Sequence, residues 1–237
     1  MAAVTLPLSY NLINRISRFH HCTSILRGSV IKTGSGSKSN CFINSIHSKY
    51  YCGTKMKSAL VLIVDGSEEM EFTISADVLR RAGVAVTVAG VEGSNPVKCS
   101  RDVVIVPDTS LAEAVKKGPY DALVLPGGAG YVKFSASAEV GNALKEQEKA
   151  GRIVAAICAA PAVLKAHGIA KGKSLTSYPS VKEELVSDYK YSEDKVVIDG
   201  NLVTSRGPGT AFDFALALAE KLTDKENAEK VKKAMLL

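Results

Sequence analysis

"IVAAICAAPAVL", Ile153 to Leu164, changes character midway. Its first residues form an unbroken apolar run, the pattern of a strand buried on both faces. From Pro161 onward it reads as a helix, and proline suits the first helical turn. Cys158 stands at the join, between Ile157 and two alanines. A buried strand feeding directly into a helix is half of a β–α–β crossover, the unit of a parallel sheet.

The same alternation runs through the rest of the chain from Ala59. "ALVLIV" (Ala59–Val64) precedes the helix-periodic "MEFTISADVLRRAG", closed by Gly83. "VAVTVAG" (Val84–Gly90) follows, then a hairpin suggested by "DVVIVPD" (Asp102–Asp108) and a helix at "LAEAVKKG". The strand "DALVLPGG" (Asp121–Gly128) leads into one long amphipathic helix ending near Gly151. Beyond the corner strand, "KSLTSYP", "KVVIDG" and "NLVTS" read as strands, with helices near "VKEELV", "GTAFDFALALAEKL" and the C-terminus. The expected fold is a single doubly wound α/β domain over 58–237, a mainly parallel sheet with helices on both faces. In such sheets ligands meet the carboxyl ends of the strands. "VDGSEEME", "LPGGAG" and "AAICAAP" are those ends.

Residues 1–57 are different. They hold Arg15, Arg18, Arg27, Lys32, Lys38, Lys49, Lys55 and Lys57 but no acid, the first being Asp65. The formal charge of +6 therefore belongs to this leader; the remaining 22 Lys/Arg are outnumbered by 24 acids. That distribution gives no electrostatic case for nucleic-acid binding. Leu8, Leu12, Ile16 and Phe19 would share one helix side, with Asn11, Asn14 and Arg18 opposite. Basic, Ser-rich and weakly amphipathic composition predicts a mitochondrial transit peptide, disordered on its own; a tail without an address is the alternative. Met56 could serve as a second start, giving a leaderless form in cytoplasm and nucleus. No stretch has the roughly 20 apolar residues of a membrane span.

Five cysteines do not make a disulfide framework, since Cys22, Cys41 and Cys52 lie in the leader. Neither a C-x-x-C nor a Cys/His cluster of zinc spacing occurs, so no metal or cofactor is expected. Cys99 and Cys158 remain for the body.

Cys158 carries the chemical question. Buried cysteine is often a small hydrophobe. A nucleophile on a tight strand–turn–helix corner also needs small neighbours, and a helix N-terminus favours its thiolate. "PGG" at Pro126–Gly128 supplies backbone N–H groups that can face an oxyanion. It is not a dinucleotide fingerprint, because Lys133 stands where a third glycine belongs. Glu68, Glu69 and Glu71 begin the first helix, where carboxylates are ordinary caps. One turned inward beside a thiol would hold its proton and donate to the thiolate. His167 lies nine residues beyond Cys158, roughly 13 Å along a helix axis. It cannot pair with the thiol, and at a helix end it complements the dipole.

Together "GSEEME", "RRAGVAVTVAG", "CSRDVVIVPD", "GPYDALVLPGG", "LKEQE", "AAICAAP" and "LVTSRGPGT" closely resemble the Parkinson-disease-associated protein deglycase family of the ThiJ/PfpI superfamily, from Lys57 to Leu237. The resemblance implies a flavodoxin-like three-layer sandwich and a homodimer. It matches Cys158 to the oxidation-sensitive nucleophile and Glu71 to its protonated carboxyl partner. Gly127, Gly128 and Ala159 match the backbone around the thiolate; Arg101, Arg206 and Pro208 match residues at the pocket border. It implies cofactor-free conversion of methylglyoxal-type aldehydes to hydroxy acids, glyoxalase III chemistry, or removal of early glycation adducts from proteins. An oxidative-stress sensor and redox-dependent chaperone is the alternative. A cysteine peptidase is disfavoured by the missing histidine.

Two positions depart from the family pattern. Tyr178-Pro179 stands where many members have His-Pro, and a phenol with a pKa near 10 is a poor base at neutral pH. Proton movement then falls on Glu71. "LPGGAGYVKF" is also shorter and differently composed than the usual loop. Cys99 is expected to be structural or interfacial, with secondary oxidation as the lesser role.

Overall fold

The computed structural model describes residues 56–237, so the leader, its expected disorder and its address lie outside the described residues. The first half contains β1 (Ser58–Ile63), α1 (Glu69–Arg81), β2 (Ala85–Gly90), β3 (Val97–Lys98), β4 (Val104–Ile105), β5 (Thr109–Ser110), α2 (Leu111–Lys117) and β6 (Ala122–Leu125). Next come α3 (Tyr131–Ala136), α4 (Ala138–Lys149), β7 (Ile153–Ile157) and α5 (Pro161–His167). The chain continues through β8 (Ser174–Leu175), α6 (Lys182–Leu185), β9 (Lys190–Tyr191), β10 (Val196–Asp199), β11 (Leu202–Ser205), α7 (Ala211–Leu222) and α8 (Lys225–Ala234).

Seven strands form one sheet in the order β10-β11-β7-β6-β1-β2-β5. Every neighbour pair is parallel except the hairpin β10–β11. The continuous apolar runs follow from this: all residues of β6 and β7 are buried, because helices cover both faces. On one side α1 packs against α7 and α7 against α8; on the other α4 packs against α2, α3 and α5. This is the expected flavodoxin-like sandwich.

The strand order fixes where a ligand can sit. From β1 the chain moves outward to β2 and β5, then returns to place β6 on the other side of β1. Connections leaving β1 and β6 therefore diverge, which opens a crevice beyond their carboxyl ends. Cys158 follows β7, the strand beside β6.

The long helix expected before Gly151 is two helices. Ser137 adopts an extended conformation (φ −82°, ψ 113°), and its hydroxyl accepts from Val140 N–H at 3.3 Å, capping α4. A serine that competes locally for backbone donors explains the break. "VKEELV" forms only the single turn α6, preceded by a 3₁₀ turn over Pro179–Val181. "KSLTSYP" shrinks to β8, which pairs with β9 outside the main sheet. The expected hairpin forms between β3 and β4, two residues long on each side. Among the described residues, no helix is long and apolar enough to cross a membrane.

Candidate active site

Three loops build the site. The loop after β1 is shaped by Gly66 (φ 82°), which lets the chain reverse into α1. Glu68 caps that helix, its carboxylate accepting from Glu71 N–H at 2.8 Å. Glu69 turns outward from the thiol and accepts the Ser100 hydroxyl at 2.9 Å. Glu71, fully buried, points inward. One Oε accepts Gly127 N–H at 2.7 Å; the other is buried without a hydrogen-bond partner. The three glutamates, indistinguishable by composition, thus take three different jobs.

The loop after β6 has no room for side chains. A Cβ on Gly127 would lie 2.6 Å from Cys158 Cβ, 2.9 Å from Ala159 N and 3.0 Å from Glu71 Oε2. Gly128 has φ 81°, and a Cβ there would meet Gly66 O at 2.4 Å and Glu68 N at 2.5 Å. Both glycines are required by close backbone approach.

Cys158 has φ 64°, a conformation costing a non-glycine residue of order 1–3 kcal/mol. Neighbouring loops hold it there: its N–H donates to Ser205 O at 3.0 Å, and its carbonyl accepts Tyr178 N–H at 2.7 Å. The corner brings the side chain up to Glu71, close enough that each group acts on the other's ionisation. The backbone N–H groups of Gly128 and Ala159 also face the sulfur.

The electrostatics follow from burial. Desolvation raises the Glu71 carboxyl to about 7, against the opposing pull of the Gly127 N–H and the Cys158 thiol. Desolvation, and then the charge of an ionised Glu71, push the Cys158 thiol up to about 12, while the Gly128 N–H pulls it down. The pair therefore releases one proton near neutrality and holds the second tightly. The expectation of a thiol lowered at the helix N-terminus beside a protonated carboxyl meets an opposing effect, since burial raises the thiol instead. Helix α5 has only seven residues, and an ionised Glu71 opposes ionisation of the sulfur.

The remaining expected residues divide. Gly127 differs from Gly128 and Ala159 because its N–H is committed to Glu71 and orients the acid. Tyr178, Arg206 and Pro208 line one open groove beside the Cys158 corner. Arg206 donates to Glu193 O at 2.6 Å. Arg101 is exposed in the hairpin turn, donates to Ser100 O at 3.0 Å, and acts on Glu69 rather than on the thiol. His167 is remote, as expected, but its contact is specific: Nε2 lies 3.1 Å from Phe134 O, so this nitrogen carries the proton. Cys99 is buried, and desolvation followed by the charges of Glu69, Glu68 and Asp65 pushes its thiol up to about 11. Among the described residues, no His/Cys/Asp/Glu group could hold a metal ion.

Two features were invisible to sequence reasoning. The β3–β4 hairpin is pinned to the β1 loop by Gly66 N–H to Lys98 O and Ser100 N–H to Ser67 O, both 2.9 Å. Thr210 organises "SRGPGT": its Oγ1 accepts from Arg206 N–H at 3.2 Å and Gly207 N–H at 3.1 Å. A serine or threonine three or four residues after a glycine-containing turn is the only local signal for it.

Comparison with known proteins settles the lineage. A profile of the DJ-1/PfpI family matches residues 57–221. The chain belongs to that family. It is 58% identical over 183 residues to protein dj-1beta of Drosophila melanogaster, covering 76% of this chain and 97% of that protein. The crystal structure of Drosophila melanogaster DJ-1beta superposes with a TM-score of 0.75 at 59% identity, over 77% of this chain and 98% of that one. A Caenorhabditis elegans relative named glutathione-independent glyoxalase DJR-1.2 is 42% identical over 183 residues, covering 76% and 97%.

Proposed function

We propose that this protein is a cofactor-independent cysteine enzyme acting on reactive carbonyls, converting methylglyoxal-type α-oxoaldehydes to 2-hydroxy acids or removing the adducts they form on proteins. The observation that carries the reading is the buried Cys158–Glu71 pair set among backbone N–H groups, with the Glu71 carboxyl raised to about 7 by desolvation. The relative named as a glutathione-independent glyoxalase supports the same chemistry.

The Cys158 sulfur adds to the aldehyde carbon; a C–S bond forms as the C=O π bond opens. The oxygen is received by the Gly128 and Ala159 N–H groups and takes the proton held by Glu71. Glu71, now a carboxylate, removes the proton from the former aldehyde carbon and returns it to the adjacent ketone carbon, while the hydroxyl proton of the hemithioacetal passes to the ketone oxygen. The first carbon is thereby oxidised to a thioester and the second reduced to an alcohol, so no external oxidant is needed. Water then cleaves the thioester, releasing the hydroxy acid and restoring the thiol. Tyr178, a weak base, takes no part in these transfers.

Purified protein should convert methylglyoxal to lactate without glutathione, and Cys158→Ser and Glu71→Gln should abolish it. Consumption by either variant at the wild-type rate would overturn the proposal. A second reading, oxidative-stress sensing, is favoured by one observation: the unpartnered Glu71 Oε could donate to an oxygen added to the sulfur.

Two further readings accompany this one. A homodimer is supported by exposed Met70, Val104 and Val106, which leave an apolar surface around the α1 start and the hairpin; sedimentation of a monomer at micromolar concentration would oppose it. A mitochondrial destination is supported by the leader's composition; a reporter fused to residues 1–57 that stays out of mitochondria would oppose it.

A further inference from the structure

Beside the catalytic corner runs a groove that the small aldehyde of the proposed reaction does not need. It has a volume of about 280 Å³ and is lined by Tyr178, Pro179, Arg206, Gly207, Pro208 and Gly209, among others. An apolar cavity of roughly 150 Å³ already accepts benzene. The groove is tied to the nucleophile on both sides: Tyr178 N–H donates to the Cys158 carbonyl, and Ser205, two residues before Gly207, accepts the Cys158 N–H.

Its surface is suited to a flat apolar group. Tyr178 is 46% exposed, and its hydroxyl makes no hydrogen bond among the described residues. The ring therefore stands free rather than anchored by its polar end. It lies against Gly207, where an added Cβ would come 3.4 Å from Tyr178 Cδ2. Glycines at 207 and 209 keep the floor bare of side chains, while Pro179 and Pro208 present rigid apolar walls. Arg206 offers little for an anionic substrate, because its guanidinium donates to Glu193 O and its charge already acts on the Glu193 carboxylate.

Resting on the carbonyl reading above, we propose that Tyr178 and this groove set substrate class: the protein prefers α-oxoaldehydes bearing an aryl or comparably large apolar substituent. The reacting carbonyls sit at Cys158 while the substituent stacks on the exposed phenol ring. Methylglyoxal reaches the same thiol but leaves the groove empty, losing the dispersion and desolvation that an aryl group gains there.

The test compares phenylglyoxal, followed as mandelate, with methylglyoxal, followed as lactate. Product formation is the readout because phenylglyoxal also modifies arginine side chains. Wild type should show the larger kcat/KM for phenylglyoxal. Tyr178→Ala should lower the phenylglyoxal-to-methylglyoxal ratio about ten-fold, the discrimination ordinary for one pocket-filling group, with the change in KM. Tyr178→Phe, which keeps the ring, should retain the ratio. A wild-type preference for methylglyoxal, a ratio unmoved by Tyr178→Ala, or an equal loss in Tyr178→Phe would overturn the inference while leaving the reaction standing. Failure of wild type on both aldehydes would instead sink the carbonyl reading, and this inference with it.

Discussion

Replacing Glu71 by glutamine should stabilise the fold while removing its activity. In the folded protein the Glu71 carboxyl is raised to about 7 from an ordinary 4.5, chiefly by desolvation. Below 4.5 the acid is protonated both folded and unfolded, and the fold carries no penalty. As pH rises from 4.5 to 7 the unfolded chain releases this proton while the folded pair retains it. Stability therefore falls across that window, by on the order of 3 kcal/mol in full. The sign and size do not depend on whether the remaining proton sits on carboxyl or sulfur, since linkage counts only protons bound. Glutamine has no proton to lose, and its amide oxygen can still accept the Gly127 N–H.

Urea unfolding of wild type and Glu71→Gln at pH 4.5 and pH 8 measures the difference directly. The two should be similar at pH 4.5, with the variant about 3 kcal/mol more stable at pH 8, roughly 5–10 °C in Tm for a domain of this size. A variant no more stable than wild type at pH 8 would refute the claim that Glu71 is held against its ordinary ionisation.

Gly127→Ala should destabilise by about 1–3 kcal/mol and slow Cys158 chemistry, because the new methyl collides with backbone at Ala159 as well as with the thiol's own Cβ; thermal melting and a turnover assay read both effects. Mild peroxide should oxidise Cys158 before Cys99, which lacks a proton-sharing partner and faces three negative charges; peptide mass spectrometry orders the two sites. Ser137→Ala should cost about 1 kcal/mol by uncapping α4, without altering turnover per folded molecule; denaturant midpoints against an unchanged kcat check it.

The body of the fold was readable because parallel strands covered on both faces leave an uninterrupted mark, as in "ALVLIV" and "RIVAAIC". Two-residue strands such as β8 and β9 leave no such mark, since no periodicity develops over two positions. Ser137 fits a helix pattern by its neighbours' spacing, and only its cap geometry shows that two helices meet there. At the site, the corner around Cys158 was legible from its small neighbours and Pro161. The choice of Glu71 over Glu68 and Glu69 rested on family resemblance, because all three suit a helix start and only the facing Gly127 N–H distinguishes them. The conditional ionisation of Cys158 was not legible, because it depends on burial of two groups 87 positions apart in the chain.

Alkylation of Cys158 by iodoacetamide as a function of pH, followed by intact mass, tests the shared proton most directly. Capture by wild type should change with a midpoint near the value of about 7 at which the pair gives up its first proton, and Glu71→Gln should lose that step. Superimposable profiles, or a wild-type midpoint at the ~8.5 of a free thiol, would contradict the account.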